Sequence, residues 1–278
     1  MKIAISAEST IDLPKNLIEK YNVYTTPFTV LLGDDVYYDG EIEVEKMYEY
    51  VDKTKNLPKT SAVNEHQFSE HFEKILKDHD AVIHFCLSSG VSCAYENAVR
   101  ASKNFENVYI IDTKSLSTGI ALLAIKAFEM ISDNQNIDEI VKTINKLVPK
   151  VQASLVINKL DYLRKGGRCS ALKCFGANIL QLRPQILVKD GKLVPAKKFR
   201  GKFENCVKLY CEDILKTFPN FDKSMAFVAY TTASRESVEI AKKALADAGF
   251  ENIIENRTGA TISTHCGPNA LGILYITR

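Results

Sequence analysis

The side chain best suited to chemistry near the C-terminus is a histidine, His265, within the stretch ISTHCGPNALG. An imidazole can act as a general base, as a metal ligand or as a hydrogen-bond donor to an anion. Hydroxyl groups precede His265 at Ser263 and Thr264, and a thiol follows it at Cys266. Which of the three roles His265 has depends on the side chains that other segments bring beside it.

Serine and threonine are concentrated in four other segments, each near the expected end of a strand or start of a helix. They are Glu8-Ser9-Thr10, Thr60-Ser61, Ser88-Ser89-Gly90-Val91-Ser92 and Ser115-Leu116-Ser117-Thr118-Gly119. In a doubly wound sheet, ligands lie outside the carboxyl ends of the strands, and helix N-termini offer backbone N–H groups to anions. For any one segment taken alone, an N-cap or a turn is the better explanation. Together the four segments predict a receptor for a small oxyanion.

The pattern of strands and helices predicts an α/β fold with two α/β domains. Over residues 1–150, buried strands alternate with helices, which is typical of a doubly wound, mostly parallel sheet. Gly33-Asp34-Asp35 predicts a hairpin or a tight connection, and the spacing of Asn64 and Gln67 predicts a capping box at a helix start. Over residues 151–278, the Asp190-Gly191 turn predicts antiparallel pairing in a sheet of antiparallel or mixed strands.

Composition excludes several classes of protein. The 278 residues include 36 Lys and Arg against 34 Asp and Glu, and this formal charge of +2 gives no basis for nucleic-acid binding. Glu8 and Asp12 interrupt the apolar run at the N-terminus, and no segment approaches ~18 uninterrupted apolar residues, so we expect no stable membrane insertion and a cytoplasmic location. Seven cysteines, an odd number, fit reduced thiols better than a disulfide framework.

Three enzymatic or metal-binding alternatives remain open from the residues alone. A small hydrolase could use Ser92, Cys93 or Cys266 as nucleophile with His265 as base, although the sequence has no Gly-x-Ser-x-Gly motif. A nucleotide enzyme is disfavoured because both glycine-rich phosphate motifs are missing. A metal site could recruit four cysteines, which are more simply explained as small buried residues: Cys169, Cys174, Cys206 and Cys211. Of the other histidines, His66, His71 and His79 are expected on a solvated helix and at its end. His84 is expected to be a hydrogen-bonded core residue rather than a ligand.

Five segments resemble, in order, the motifs of the DegV family of bacterial fatty-acid-binding proteins. ESTIDLP resembles the DSTxDLP opening of that family, and LSSGVSCAYENA is similar to its SSGLSGTYQSA loop. DTKSLSTGIALLA resembles its DSxSxSxG helix start, LDYLRKGGRCS its LxYLxKGGRI segment, and HCGPNALG its HxGPGALG end. Each motif alone is weak, but the ordered set from residue 8 to residue 272 is specific. One departure is that Cys93-Ala94 replaces the Gly-Thr of the family.

The resemblance implies a long-chain fatty acid held between the two domains, with no cofactor and no metal. It places the carboxylate against Thr60, Ser61, Ser92 and His265, and it places other ligand-binding positions at Cys93, Ser117 and Thr118. It assigns Lys165, Arg168 and Arg200 to the head group or to a partner. The partner implied is a fatty acid kinase domain protein, which makes an acyl phosphate for lipid metabolism from the presented acid. The chain itself is therefore expected not to be an enzyme.

Overall fold

The structure is a computed structural model that describes residues 1–169 and 182–278. Ahead of residue 151, the chain forms β1 (Ile3–Glu8), α1 (Lys15–Lys20), β2 (Val23–Thr26), β3 (Thr29–Leu32), β4 (Asp35–Tyr38), α2 (Val44–Thr54), β5 (Lys59–Ser61), α3 (Glu65–Leu76), β6 (Ala81–Cys86), α4 (Ala94–Ser102), β7 (Val108–Asp112), α5 (Thr118–Ser132) and α6 (Ile137–Leu147). Two short 3-10 turns lie at Ser9–Ile11 and Val148–Lys150.

The described part of the second half contains six strands and four helices. They are β8 (Val151–Val156), α7 (Asp161–Gly166), β9 (Leu182–Lys189), β10 (Lys192–Arg200), α8 (Phe203–Thr217), β11 (Phe221–Tyr230), α9 (Arg235–Asp247), β12 (Ile253–Arg257), α10 (Ala260–Cys266) and β13 (Leu271–Thr277). The segment around His265 is thus the short helix α10, which the sequence analysis did not foresee.

The first sheet is parallel throughout and has the strand order β2-β1-β6-β7. The chain runs from β1 to β2 on one side of β1 and later enters β6 on its other side, so the winding reverses between β1 and β6. At such a reversal, the loops that follow the two strands diverge and leave a crevice at the carboxyl edge. The prediction of a doubly wound parallel sheet is confirmed, and the serine segments after β1 and β6 lie at this crevice.

The second sheet has the order β10-β9-β8-β13-β11-β12, and only the β11–β12 pair is parallel. The turn between β9 and β10 places Asp190 at φ 49° and Gly191 at φ 77°. Positive φ at both central residues is what a two-residue turn needs to match the strand twist. The predicted antiparallel or mixed sheet and its Asp-Gly turn are confirmed.

A third, small antiparallel sheet with the order β4-β3-β5 was not predicted as a separate sheet. Its β3–β4 hairpin turns at Gly33-Asp34, as expected. Thr60 and Ser61, expected in a loop, instead lie on β5, where Thr60 pairs with Val30. A three-residue strand is too short to show an alternating pattern in sequence. The capping box of Asn64 and Gln67 at the start of α3 is confirmed.

Helix α5 lies between the two large sheets and packs against both of them, so that the sheets share one hydrophobic core. Its first eight residues, 118–125, are all buried, which is typical of a helix enclosed by other elements, and it contacts β1 and β6 of the first sheet and β8, β11 and β13 of the second. Ile83 of the first sheet and Leu274 of the second belong to the same buried cluster. A division of the chain at residues 150 and 151 stays a prediction. Within the described ranges, no helix has the length and apolar character needed to cross a membrane.

Two of the histidine expectations were wrong. His66 is exposed, but His79 is only 8% exposed, and His71 is largely buried with its Nε2 atom 2.7 Å from Ser6 Oγ. Burial and the nearby His84 lower the pKa of His71 to about 3. The spacing of apolar residues in α3 did not predict the burial of His71, because it assigns polar residues to the solvent-facing side of the helix. A polar residue at the edge of the apolar face can nevertheless be buried where the sheet supplies a hydrogen-bond partner, as Ser6 does for His71. His84 is in the core, as expected, but its Nε2 atom has no hydrogen-bond partner in the described residues, so the ring is only partly satisfied.

Candidate ligand-binding site

A cavity of about 270 Å³ opens where β5, the loop after β6, α7, β10 and α10 meet. Its polar wall is formed by Thr60, Ser61, Ser92, Cys93, Arg168 and His265. Its apolar wall includes Leu87, Val91, Leu116, Leu163, Leu193 and Ile262. The walls come from both halves of the chain, and a few polar groups face a mainly apolar enclosure, which is the composition typical of small-molecule sites.

The central contact of the polar wall joins Thr60 to His265, with Thr60 Oγ1 2.8 Å from His265 Nε2. His265 lies in the last turn of α10, and Thr60 on the short strand β5. Burial, with a smaller effect from the positive charge of Arg168, lowers the pKa of His265 to about 4. The imidazole is therefore neutral at pH 7 and offers one N–H donor.

The opposite edge of the His265 ring lies directly on the backbone of Gly166 at the end of α7. A Cβ atom on Gly166 would stand 2.7 Å from His265 Nδ1, closer than real contacts allow. Nδ1 is buried and has no hydrogen-bond partner in the described parts of the chain. Gly166, the first glycine of the KGGR segment, therefore allows the imidazole of His265 to pack directly against the backbone of α7 and limits its position.

The serine loop that follows β6 presents Ser92 at the N-terminus of α4. Ser92 Oγ accepts a hydrogen bond from Ala94 N at 3.2 Å, which leaves the hydroxyl proton of Ser92 to donate elsewhere. The loop is held in place by Ser88, whose hydroxyl donates to Gly191 O at 2.7 Å in the Asp-Gly turn of the second sheet. The same turn that pairs β9 with β10 thus braces the loop that carries Ser92.

Cys93, which stands where the family motif has glycine, lies at the rim of the cavity with an exposed side chain. Its backbone angles are φ −86° and ψ 4°, a conformation open to any residue. The position therefore does not need glycine for its backbone, and the thiol adds a side chain beside Ser92.

The three predicted cationic residues lie in different places. Arg168 is exposed, lines the mouth of the cavity, and also borders a wider cleft of about 670 Å³ that contains Lys192. Lys165 is exposed on α7 and lines neither space. Arg200 ends β10, eight residues beyond Lys192, which at ~3.3 Å per residue puts it roughly 25 Å along the strand from the cavity mouth.

Ser117 and Thr118 do not line this cavity, although Ser117 lines a narrow adjoining space. The Ser117 hydroxyl donates to Asp12 Oδ2 at 2.6 Å, and Thr118 is fully buried in the first turn of α5. The structure therefore gathers Thr60, Ser61, Ser92, Cys93, Arg168 and His265 at one site and places Ser117, Thr118, Lys165 and Arg200 elsewhere.

The sequence analysis missed a pair of buried carboxyl groups, Asp12 and Asp39, that holds the start of α10. Asp12 Oδ1 accepts from Gly259 N and Asp39 Oδ1 from Ala260 N, both at 2.8 Å. Burial, followed by repulsion from Asp39, raises the pKa of Asp12 to about 8. The position of His265 therefore depends on two acids from the N-terminal half. The only sequence signal was that Asp12 and Asp39 each stand at a turn.

A narrow apolar space lies behind the cavity and is separated from it by Leu116, Ile262 and Cys266, which line both. It measures about 30 Å³ and is walled mainly by apolar side chains, including Leu155 and Leu271. Apolar lining therefore continues inward from the polar wall.

Neither the hydrolase nor the four-cysteine arrangement is assembled by the described residues. Cys266 is buried, and burial together with Asp12 raises the pKa of its thiol to about 12, so it is not a thiolate at neutral pH. Ser92 Oγ and His265 are not hydrogen-bonded to each other. Cys211 belongs to one buried cluster and Cys169 to another, Cys206 is buried on α8, and Cys174 lies outside the described residues.

Comparison with known proteins gives a consistent result along the whole chain. A family model described as "Uncharacterised protein, DegV family" matches residues 2–278. The chain is 29% identical over 279 residues to a fatty acid-binding protein of Thermotoga maritima, covering 98% of this chain and 96% of the relative. It is 28% identical over 282 residues to Protein DegV of Bacillus subtilis, covering 99% of each chain.

A solved structure gives the same picture. The Thermus thermophilus structure, described as fatty acid binding of a DegV family protein, matches with a TM-score of 0.91 at 25% identity and covers 100% of both chains. The two-domain α/β architecture found here is thus also that of its relatives.

Proposed function

The chain belongs to the DegV family, and we propose that it binds a long-chain fatty acid, with the carboxylate at the polar wall of the cavity. The observation that carries this proposal is the contact of Thr60 with His265 beside Ser92, at the end of a cavity whose other wall is apolar. The two relatives named above as fatty-acid-binding proteins support the ligand class.

The polar wall suits a carboxylate because it supplies donors with little opposing charge. A fatty-acid carboxylate is ionised at neutral pH, and burial without hydrogen-bond donors costs several kcal/mol. With its proton on Nε2, neutral His265 donates to Thr60 Oγ1, and the Thr60 hydroxyl can then donate to a carboxylate oxygen. Ser92 and Ser61 add hydroxyl groups, and Arg168 supplies positive charge at the mouth.

The hydrocarbon chain extends from this wall along the apolar side of the cavity and toward the space behind Leu116 and Ile262. Each methylene removed from water contributes about 0.8 kcal/mol, so the tail provides most of the affinity. The head group provides specificity. A ligand that lacks a carboxylate would leave the hydrogen-bond donors of the polar wall without a partner, which would weaken its binding.

We also propose that the bound acid is presented to a partner kinase that forms the acyl phosphate. The carboxylate end of the cavity is the end near the exposed Cys93 and Arg168, so a partner can reach it from outside. Arg200 lies too far along β10 to contact the head group and is assigned to the partner surface.

A binding comparison between a fatty acid and the alcohol of the same chain length tests the proposal. Isothermal titration of the purified protein should give tight, one-to-one binding of the acid and binding of the alcohol weaker by about tenfold or more, since a hydrogen bond to a charged group contributes ~1.5–3 kcal/mol. Equal affinities would contradict the assignment of the polar wall to a carboxylate. Binding of neither would contradict the fatty-acid proposal as a whole.

A further inference from the structure

A second group of chemically capable side chains lies inside the first sheet, away from the ligand cavity. Glu8 ends β1, and His84 and Cys86 lie two residues apart on the neighbouring strand β6, so both project from the same face. All three side chains are fully buried. One carboxylate oxygen, one imidazole nitrogen and the thiol sulfur lie within 4.8 Å of one another.

We propose that Glu8, His84 and Cys86 form a zinc-binding site. Glu8 Oε1 and His84 Nε2 are buried, 3.7 Å apart, and neither has a hydrogen-bond partner in the described residues. That distance is too long for a hydrogen bond between them. It is the separation expected of two ligands around a tetrahedral zinc ion, about 3.3–3.8 Å for bonds of roughly 2.0–2.3 Å.

The neighbours of His84 can fix the tautomer that a metal requires. Ser6 Oγ lies 2.9 Å from His84 Nδ1 and 2.7 Å from His71 Nε2. Because the hydroxyl has one proton, Ser6 can donate to His71 while it accepts from His84 Nδ1–H. The lone pair of His84 Nε2 then faces Glu8 Oε1, so that two hydrogen-bond acceptors lie opposite each other with no proton between them. Metal-bound histidines usually have this kind of outer partner on the second nitrogen.

Charge balance also favours a divalent ion in this buried position. A thiolate, a carboxylate and a neutral imidazole bring two negative charges, which neutralise Zn²⁺ and remove the cost of an unpaired buried carboxylate. Burial, followed by the nearby Glu8, raises the pKa of the Cys86 thiol well above its usual range, so the thiol keeps its proton when no metal is bound. On binding, the zinc–sulfur bond forms and that proton is released to solvent. The mixture of thiolate, imidazole and carboxylate suits zinc better than calcium or magnesium, which prefer oxygen ligands alone.

The carboxylate is held from the other side by the backbone. Glu8 Oε2 accepts a hydrogen bond from Leu87 N at 2.8 Å, which leaves Oε1 to face the cluster. Leu87 also lines the ligand cavity. Zinc at this site would therefore stabilise the strand end from which the serine loop begins, without contacting the fatty acid.

Metal analysis of the full-length protein tests the proposal. Protein purified from zinc-supplemented cells should contain about one zinc ion per chain. After the zinc is removed with a chelator, titration with Co²⁺ should produce the near-ultraviolet charge-transfer band of a thiolate–cobalt bond. Both signals should be lost in Cys86→Ala and retained in Cys211→Ala, a matched control because Cys211 is equally buried but lies in another core cluster.

Two results would overturn the proposal. One is that wild-type protein contains only trace zinc and also shows no thiolate–cobalt band on titration. In that case Glu8 and His84 are a buried pair that binds no metal. The other is a band that persists in Cys86→Ala, which would assign the metal to another thiol. If Cys86→Ala does not fold, the wild-type zinc content and cobalt spectrum decide, together with a rise in melting temperature on zinc addition.

Discussion

Thr60 and His265 are separated by 205 residues, and a 2.8 Å contact between Thr60 Oγ1 and His265 Nε2 joins the two halves of the chain. Thr60 belongs to the small sheet, and His265 to a helix whose start is held by Asp12 and Asp39. The polar wall of the cavity is therefore assembled by tertiary packing, and the side chains of this contact can be tested separately.

Replacing Thr60 by valine should lower fatty-acid affinity by about tenfold, because the isosteric side chain removes the hydroxyl without changing volume. Thr60→Ser keeps the hydroxyl and is the matched control, with affinity close to that of the wild type. Isothermal titration with one saturated fatty acid measures both. A Thr60→Val protein that binds as tightly as Thr60→Ser would show that the hydroxyl does not contact the carboxylate.

Replacing His265 by alanine should weaken fatty-acid binding by about tenfold or more while the protein stays folded, because the neutral imidazole is polar and part-exposed rather than a core side chain. The control is His66→Ala, which removes an exposed histidine of α3. Circular dichroism establishes folding, and titration gives the affinity. Unchanged binding in folded His265→Ala would remove His265 from the site.

Much of the fold could be predicted from sequence because its signals are local. The parallel sheet, the Asp190-Gly191 turn and the capping box of Asn64 each follow from residues within one or two elements. Thr60, Ser92 and His265, predicted at one site from the family motifs, do line one cavity. By contrast, β5 and α10 are three and seven residues long, too short for a periodic pattern.

The acid pair and the actual position of Ser117 could not be predicted for a different reason. Asp12 meets Ser117 across 105 residues and Gly259 across 247, and such contacts depend on how the sheets pack around α5. A sequence pattern indicates which hydroxyl groups lie at strand ends, but it does not indicate which of them will be hydrogen-bonded to a buried acid. The hydroxyl of Ser117 is one of these, because it donates to Asp12.

The stability of the protein should fall as pH rises from about 6.5 to 8. In this interval folded Asp12, with its pKa raised to about 8, keeps a proton that the unfolded chain, with an ordinary pKa of 3.8, has lost. The folded state therefore binds more protons, and the free energy of unfolding decreases by at most about 1.4 kcal/mol per pH unit. His71 and His265 act in the opposite direction, but only below about pH 6.5.

Urea unfolding at several pH values measures this slope, and Asp12→Asn should flatten it because the amide does not titrate. Asp34→Asn, at the exposed hairpin turn, should keep the wild-type slope. A slope that is equal in Asp12→Asn and Asp34→Asn would show that Asp12 is already ionised at neutral pH.

The thiol of Cys93 should react readily with a maleimide, and bound fatty acid should slow that reaction severalfold. Cys93 is exposed at the rim of the cavity, whereas five other cysteines in the described residues are buried. Intact mass spectrometry of wild type and Cys93→Ser identifies the labelled position. Equal labelling rates with and without fatty acid would place the head group away from Cys93.

The two arginines should separate head-group binding from partner function. Arg168→Ala should weaken fatty-acid binding, since its charge lies at the cavity mouth. Arg200→Ala should bind fatty acid normally and impair acyl-phosphate formation by the proposed partner kinase. Titration and a coupled phosphorylation assay measure the two properties. Loss of binding in Arg200→Ala would bring Arg200 into the head-group site, against its position on β10.

The most direct test of fatty-acid binding is mass spectrometry of the purified protein, first in its native state and then after denaturation and organic extraction. The account predicts a mass excess of one ligand per chain that disappears on denaturation and is recovered in the extract as a fatty acid of defined chain length. Protein that carries no lipid and takes up no member of a fatty-acid panel would contradict the account.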